Sequence, residues 1–311
     1  MREVLSSNLQ MKRIAIVGAG AVGCYYGCRM AEAGHDVRFL LRRDFEDVKR
    51  QGFRISSIEG DFQIDGSKAF QSAPEIGVVD LAVVAWKATA NGYAKEVIGP
   101  LLHAKTRILT LQNGLGNVEL LEGLFGEGRI LGGLCFVGIN RLTAGQISHT
   151  VGGMVTIGEP LETGLLPEMP AIFGTKVKVT LSEDLALAQW RKLIWNVPFN
   201  GLCVAEGGID IAELLSLPGK EEEARLLMKE VQATAQALGH QIPDPFIENQ
   251  VVTTRKMGAY KPSSMLDYVN GFPLEVEAIW GEPVRRAEER GLSVPRMSAL
   301  YETLLRMDGE R

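Results

Sequence analysis

The sequence predicts an α/β domain followed by an all-helical one. Three observations carry that expectation. Short apolar, β-branched runs alternate with helix-compatible segments over the first half of the chain, as in a helix-flanked parallel sheet. A glycine-rich turn separates the first of these runs from a helical pattern. From Ser182 onward the chain reads as helix after helix. At 311 residues it is longer than one typical domain, so the boundary is placed at this change of texture, with domains at 1–181 and 182–311.

In order, the β-branched run Ile14 to Val17 passes through glycines into helix-type spacing and returns to an apolar run at Val37 to Leu41, which is a βαβ unit. Further strands are expected at Val78 to Trp86, Arg107 to Leu111 and Ile130 to Val137. The segments Asn91 to Leu102 and Gly116 to Phe125 between them can form helices. Glycines and β-branched residues from Gly145 to Glu159 suggest strands, and Lys176 to Leu181 reads as one more. Ser182 is an N-cap candidate, and the helices after it break at Gly239, around Pro243 and Pro245, and at Pro262, Pro273 and Pro295.

Composition narrows the function classes. No apolar run approaches the roughly 20 residues of a membrane span, and MREVLSSNLQ lacks the apolar core of a secretory signal, so a cytoplasmic location is expected. Residues 1–10 can equally precede a natural start at Met11. A net charge of −5 disfavours a general nucleic-acid surface. Cys24 and Cys28 stand in a C-x3-C spacing unusual for zinc, the four histidines are scattered singly, and no G-x-S-x-G is present. No metal site is expected, and the four cysteines read as reduced thiols.

Chemistry enters at Gly18-Ala19-Gly20-Ala21-Val22-Gly23, a G-x-G-x-x-G that follows a strand and opens a helix. In that context the first glycine makes the tight turn, the second admits a pyrophosphate and the third lets helix and strand pack closely. The first domain is therefore expected to be a Rossmann-type dinucleotide-binding domain. At the end of the second strand, where an NAD site places a carboxylate, stand Arg42 and Arg43, whose guanidinium groups suit a 2′-phosphate. NADPH/NADP+ is the expected cofactor. Asp44 is the dissenting residue, and it can also be the N-cap of the next helix.

Lys87 in "VVAWKA" and Asn113 in "LQNGLG" interrupt the C-terminal ends of expected strands, the side of an open α/β sheet where ligands bind. In "QWRKLIWNVPFNGL", Lys192, Asn196 and Asn200 recur at steps of four. Such a step drifts only about 40° around a helix, so the three share one face over about 12 Å. Apolar residues fill the positions between them, which predicts a mostly buried helix whose lysine needs a partner or ligand. Pro198 should kink it. On spacing alone, Ser263 and Ser264 read as helix caps and Glu275 as one side of a solvated face.

The motifs "VGAGAVG", "LLRR", "WKA", "QNGLGN", "WRKLIWNVPFNGL", "PSSML" and "LEVEAIWG", in this order and spacing, resemble the ketopantoate reductases (2-dehydropantoate 2-reductases) from about Lys12 to Met307. The resemblance implies NADPH-dependent reduction of 2-dehydropantoate to (R)-pantoate, on the route to pantothenate and coenzyme A. It implies Lys192 and Glu275 as catalytic residues and Asn113, Asn196, Asn200 and Ser264 as substrate contacts. Gly18, Ala19, Gly20, Ala21, Val22, Gly23, Arg42, Lys87 and Asn113 would hold the cofactor. The polar stripe would then face a crevice between the domains. The small-molecule 2-oxoacid is the expected partner, nucleic acid and membrane are not, and a homodimer is compatible with the reading.

Three features depart from the family pattern near the substrate positions: a one-residue shortening between Ser264 and Glu275, Trp280 where Asn commonly precedes Gly281, and Lys261 in place of an Asn. The alternatives are a reductase of another small 2-oxoacid and a non-catalytic NADP(H)-binding sensor, and joint retention of Lys192, Asn196 and Glu275 argues against the sensor.

Overall fold

The computed structural model describes residues 10–310. The chain divides into two compact units. The first takes the chain through Gln112 and then Val118–Leu185; the second takes Asn113–Asn117 and the chain from Ala186 onward.

In the first unit ten strands form one sheet: β1 (Arg13–Val17), β2 (Asp36–Leu40), β3 (Phe53–Ser57), β4 (Phe62–Ile64), β5 (Ala69–Phe70), β6 (Leu81–Val84), β7 (Arg107–Thr110), β8 (Ile130–Thr143), β9 (Gln146–Gly158) and β10 (Val179–Ser182). Their order is β4-β3-β9-β8-β7-β6-β1-β2-β5, with β10 on β9. The expected parallel core is present in β2-β1-β6-β7-β8, and Ile14, Ala15, Ile16 and Val17 of β1 are fully buried, as a strand covered on both faces must be. The parallel expectation needs correction at one side, where β8 pairs antiparallel with β9 and β3 with β4. Only Ala144 and Gly145 separate β8 from β9, and a link that short can join strands only as an antiparallel hairpin. The short strands β3 to β5 escaped the sequence reading because brief, half-exposed segments carry little periodicity. The helix α2 (Phe45–Gln51) that precedes them begins after Asp44, the N-cap candidate.

The second unit is helical, with helices Leu185–Ala205, Ile211–Ser216, Lys220–Ala237, Asp244–Arg255, Ser263–Val269, Glu282–Glu289 and Pro295–Gly309. Pro245 and Pro295 sit in first turns, where the missing N–H costs nothing. Trp190, Leu193, Ile194, Val197 and Phe199 pack with Leu227, Val231, Trp280 and Leu300 into this unit's core. Among the described residues no helix is long and apolar enough to cross a membrane.

A buried polar cluster ties the β8–β9 hairpin to α1 (Ala21–Glu32). Arg29 of α1 donates to Ser57 Oγ at 2.8 Å, and the Glu59 N–H donates to the same oxygen at 3.1 Å. With both lone pairs taken, the Ser57 hydroxyl must donate to His149 Nδ1, 2.8 Å away. His149 is therefore the neutral Nε2–H tautomer, and Nε2 lies 3.2 Å from the Gly152 carbonyl it donates to. Burial, with Arg29 nearby, lowers the His149 pKa below its ordinary value. The unfolded chain thus takes up this proton at a higher pH than the folded one, so stability is full above about pH 6.5 and falls as pH drops toward the folded pKa. Denaturation followed from pH 7 downward should show that fall, with a slope of at most about 1.4 kcal/mol per pH unit for this proton. His149→Gln should flatten it; an unchanged slope would assign the loss to other groups, such as His35, which burial also depresses.

Candidate active site

The first unit carries a candidate nucleotide site at the turn between β1 and α1. Gly18 has φ +98, and a Cβ there would lie 2.3 Å from the Trp86 backbone nitrogen. Only glycine lets the backbones meet in this way. Gly20, the N-cap of α1, is exposed with nothing within 4 Å of a Cβ position, so ligand atoms can approach the backbone there. Gly23 is buried, and a Cβ on it would strike the Gly18 carbonyl at 2.2 Å. Turn, open approach and close packing thus fall to the three glycines in the order that a pyrophosphate cradle requires, and Ala21 and Val22 add first-turn N–H groups. The residues present fit a dinucleotide.

Lys87 directly follows the residue that closes on Gly18. Around it, Asn91 Oδ1 accepts from Trp86 Nε1 at 3.2 Å and from Gln112 Nε2 at 2.8 Å, so one amide joins the ends of β6 and β7. Arg42 and Arg43 are exposed past the end of β2, and neither is bonded to another described residue. Asp44 is the N-cap residue of α2, but its side chain makes no capping bond. Its carboxylate instead pairs with Arg141 of β8.

In the second unit Lys192, Asn196 and Asn200 all lie on the helix Leu185–Ala205, which continues through Pro198. The stripe is not a solvated face: Asn196 is 6% and Asn200 2% exposed. Lys192 donates to Asn113 Oδ1 at 2.8 Å. An ammonium can only donate, so Asn113 must turn its oxygen to the lysine. Asn200 Oδ1 accepts from the Ser264 N–H at 3.0 Å and the Ser263 hydroxyl at 3.4 Å. Asn200 thereby caps the helix Ser263–Val269 from outside and holds Ser264, itself buried, beside the stripe. At 3.5 Å the contact from Asn200 Nδ2 to Asn196 Oδ1 is marginal, which leaves Asn196 as the less committed amide.

Asn113 is placed by a feature that spacing does not reveal. Glu277–Gly281 is a π-helical turn in which the Glu282 N–H reaches Glu277 O, five residues back. The next residue, Pro283, has no N–H, so the π register offers Ala278 O no donor. That carbonyl accepts the Leu115 N–H at 2.8 Å. Gly114, with φ +84, passes so close that a Cβ would lie 2.2 Å from Ala278 O. Asn117 Nδ2 closes the loop on Asn113 O at 2.9 Å. The "NGLGN" segment, Asn113–Asn117, is thus seated on the helical unit, although the sequence boundary at 181 assigns it to the first domain. Glu275 is buried just ahead of the π turn, in contrast to the solvated face that its spacing suggests.

Trp280 faces the helical core: it is 1% exposed, and its indole donates to Val197 O at 2.9 Å, one residue from Asn196. Gly201 leaves room for it, since a Cβ there would sit 2.8 Å from the indole nitrogen. A residue facing the core braces the stripe's helix from behind. Arg141, Asn91 and the π turn carried no signal in the sequence, whereas Ser263, inside "PSSML" and read as a helix cap, also donates to Asn200.

Comparison with known proteins gives the family of the chain. The family model described as ketopantoate reductase PanE/ApbA matches residues 14–162, and its C-terminal counterpart matches 184–308. A 2-dehydropantoate 2-reductase of Nostoc sp. is 38% identical over 306 residues, covering 96% of each chain. A crystal structure of 2-dehydropantoate 2-reductase from Geobacter metallireducens superposes with a TM-score of 0.91 at 41% identity, over 94% of this chain and 99% of that one. D-mandelate dehydrogenase in a ternary complex with NADH and anilino(oxo)acetate superposes at 0.85 over 96% of this chain and 98% of its own; at 20% identity it shares the fold alone.

Proposed function

The chain belongs to the ketopantoate reductase family of oxidoreductases, and on that premise we propose that it reduces the ketone of 2-dehydropantoate to (R)-pantoate with NADPH. The observation that carries the reading is the Lys192–Asn113 bond at the end of a buried polar stripe. Cofactor binding alone does not need Lys192 in that place.

The backbone of Gly18 to Gly23 would hold the pyrophosphate, Arg42 the 2′-phosphate, and Lys87 the nicotinamide end. Bound there, NADPH supplies the hydride that the ketone carbon accepts. Lys192, as an ammonium, stabilises the negative charge that develops on the oxygen and then gives it a proton. Asn113 fixes the amine's position. Asn196 and Ser264 hydrogen-bond the oxoacid, Asn200 keeps Ser264 in place, and Glu275 adds a carboxylate that favours the charged lysine.

Ser264→Ala removes a hydroxyl and retains the N–H that binds Asn200, so it tests substrate contact without disturbing the cap. KM for the oxoacid should rise about 3- to 10-fold while the NADPH dissociation constant stays unchanged. A loss of NADPH affinity instead would show that Ser264 does not serve the substrate.

Lys261 is exposed three residues ahead of Ser264, in place of the family's Asn, and favours a second reading: another small 2-oxoacid as substrate. Steady-state NADPH oxidation against 2-dehydropantoate and a panel of branched 2-oxoacids tests both. The highest kcat/KM should fall on 2-dehydropantoate, and a branched 2-oxoacid preferred over it would replace the substrate while leaving the chemistry.

A further inference from the structure

The geometry points to Arg141 as a further determinant of cofactor choice: by holding the Asp44 carboxylate, it turns the end of β2 from an NAD-type site into an NADP-type one. This rests on the NADPH reading above. Asp44 lies two residues past Arg42, where a dinucleotide fold that prefers NAD offers a carboxylate to the ribose hydroxyls. Uncommitted, Asp44 would do that and would also repel a 2′-phosphate. Its carboxylate is instead paired with a guanidinium brought in by β8, 97 residues later.

The pair also stands close to the glycine loop. Cys24, in the first turns of α1, donates its thiol to Ala19 O at 3.1 Å. That buried thiol, pushed up to about 12 chiefly by desolvation, also feels both Arg141 and Asp44. The arginine side chain is 40% exposed and the aspartate 21%, so an arriving anion can reach both. Three guanidinium groups (Arg42, Arg43 and Arg141) against one carboxylate leave a local excess of two positive charges, matched to a phosphate dianion. Without Arg141 the excess is one, and a bare carboxylate faces the phosphate.

The test is titration of NADPH and NADH, followed by quenching of protein fluorescence, with no turnover involved. The unmutated protein, Arg141→Gln, Asp44→Asn and the double variant are compared. Arg141→Gln should weaken NADPH binding about 10- to 100-fold and leave NADH binding equal or tighter. Adding Asp44→Asn should restore most of the NADPH affinity, because it removes the charge that Arg141 had neutralised. Equal losses for both cofactors in Arg141→Gln, or a double variant as weak as that single one, would overturn the assignment. Preference of the unmutated protein for NADH would overturn the cofactor reading. A preference for NADPH that Arg141→Gln leaves unchanged would overturn the role of Arg141 alone.

Discussion

Lys192→Ala is expected to lower kcat by about 10²- to 10⁴-fold, the usual worth of a positioned proton donor, with NADPH affinity intact. Ketone reduction concentrates negative charge on one oxygen, and an ammonium acting there from a partly dehydrated stripe stabilises it far better than an exposed one. Asn196, Asn200 and Ser264, each at most 6% exposed, supply that environment. Lys192→Arg should not rescue turnover, because a guanidinium keeps its proton at neutral pH and its planar fork does not reproduce the contact to Asn113. Single-turnover measurement with saturating NADPH separates the chemical step from binding. A folded Lys192→Ala protein that binds NADPH and reduces the oxoacid at near-normal rate would refute the general-acid role. The stripe would then be structural polarity, and the sensor reading would regain its ground.

The second large effect is expected at Arg42. Arg42→Ala should weaken NADPH binding about 10- to 100-fold, the worth of roughly 1.5–3 kcal/mol for a charge-assisted contact, and leave NADH nearly unchanged. Arg42 is exposed and bonded to no other described residue, so its removal should not perturb the fold. That separates recognition from stability. The effect should also shrink at high salt, because exposed charges are screened. Equal losses for NADH and NADPH would mean that Arg42 serves the ribose or the loop rather than the phosphate.

Much of the fold was legible from local pattern. Ile14 to Val17 reads as a strand because a strand buried on both faces must be continuously apolar, and it is fully buried. The steps of four at Lys192, Asn196 and Asn200 place them on one helical face wherever the helix packs. The expected strand at Val78 to Trp86 proved shorter, Leu81–Val84, because apolar composition persists beyond the strand's hydrogen bonds. The hairpin side of the sheet was not legible as antiparallel, since strand direction depends on the connection rather than on composition.

The sequence by itself determined the α/β-then-helical order, the glycine cradle and the polar stripe, because each depends on residues within a few positions of one another. Only the tertiary structure decided that Asp44 meets Arg141, that "NGLGN" seats on a π turn emptied of a donor by Pro283, and that Trp280 braces a core. Those outcomes depend on which groups distant strands and helices bring within hydrogen-bonding reach. A carboxylate next to two arginines looks the same in sequence whether it awaits a ribose or is already held by a guanidinium 97 residues away.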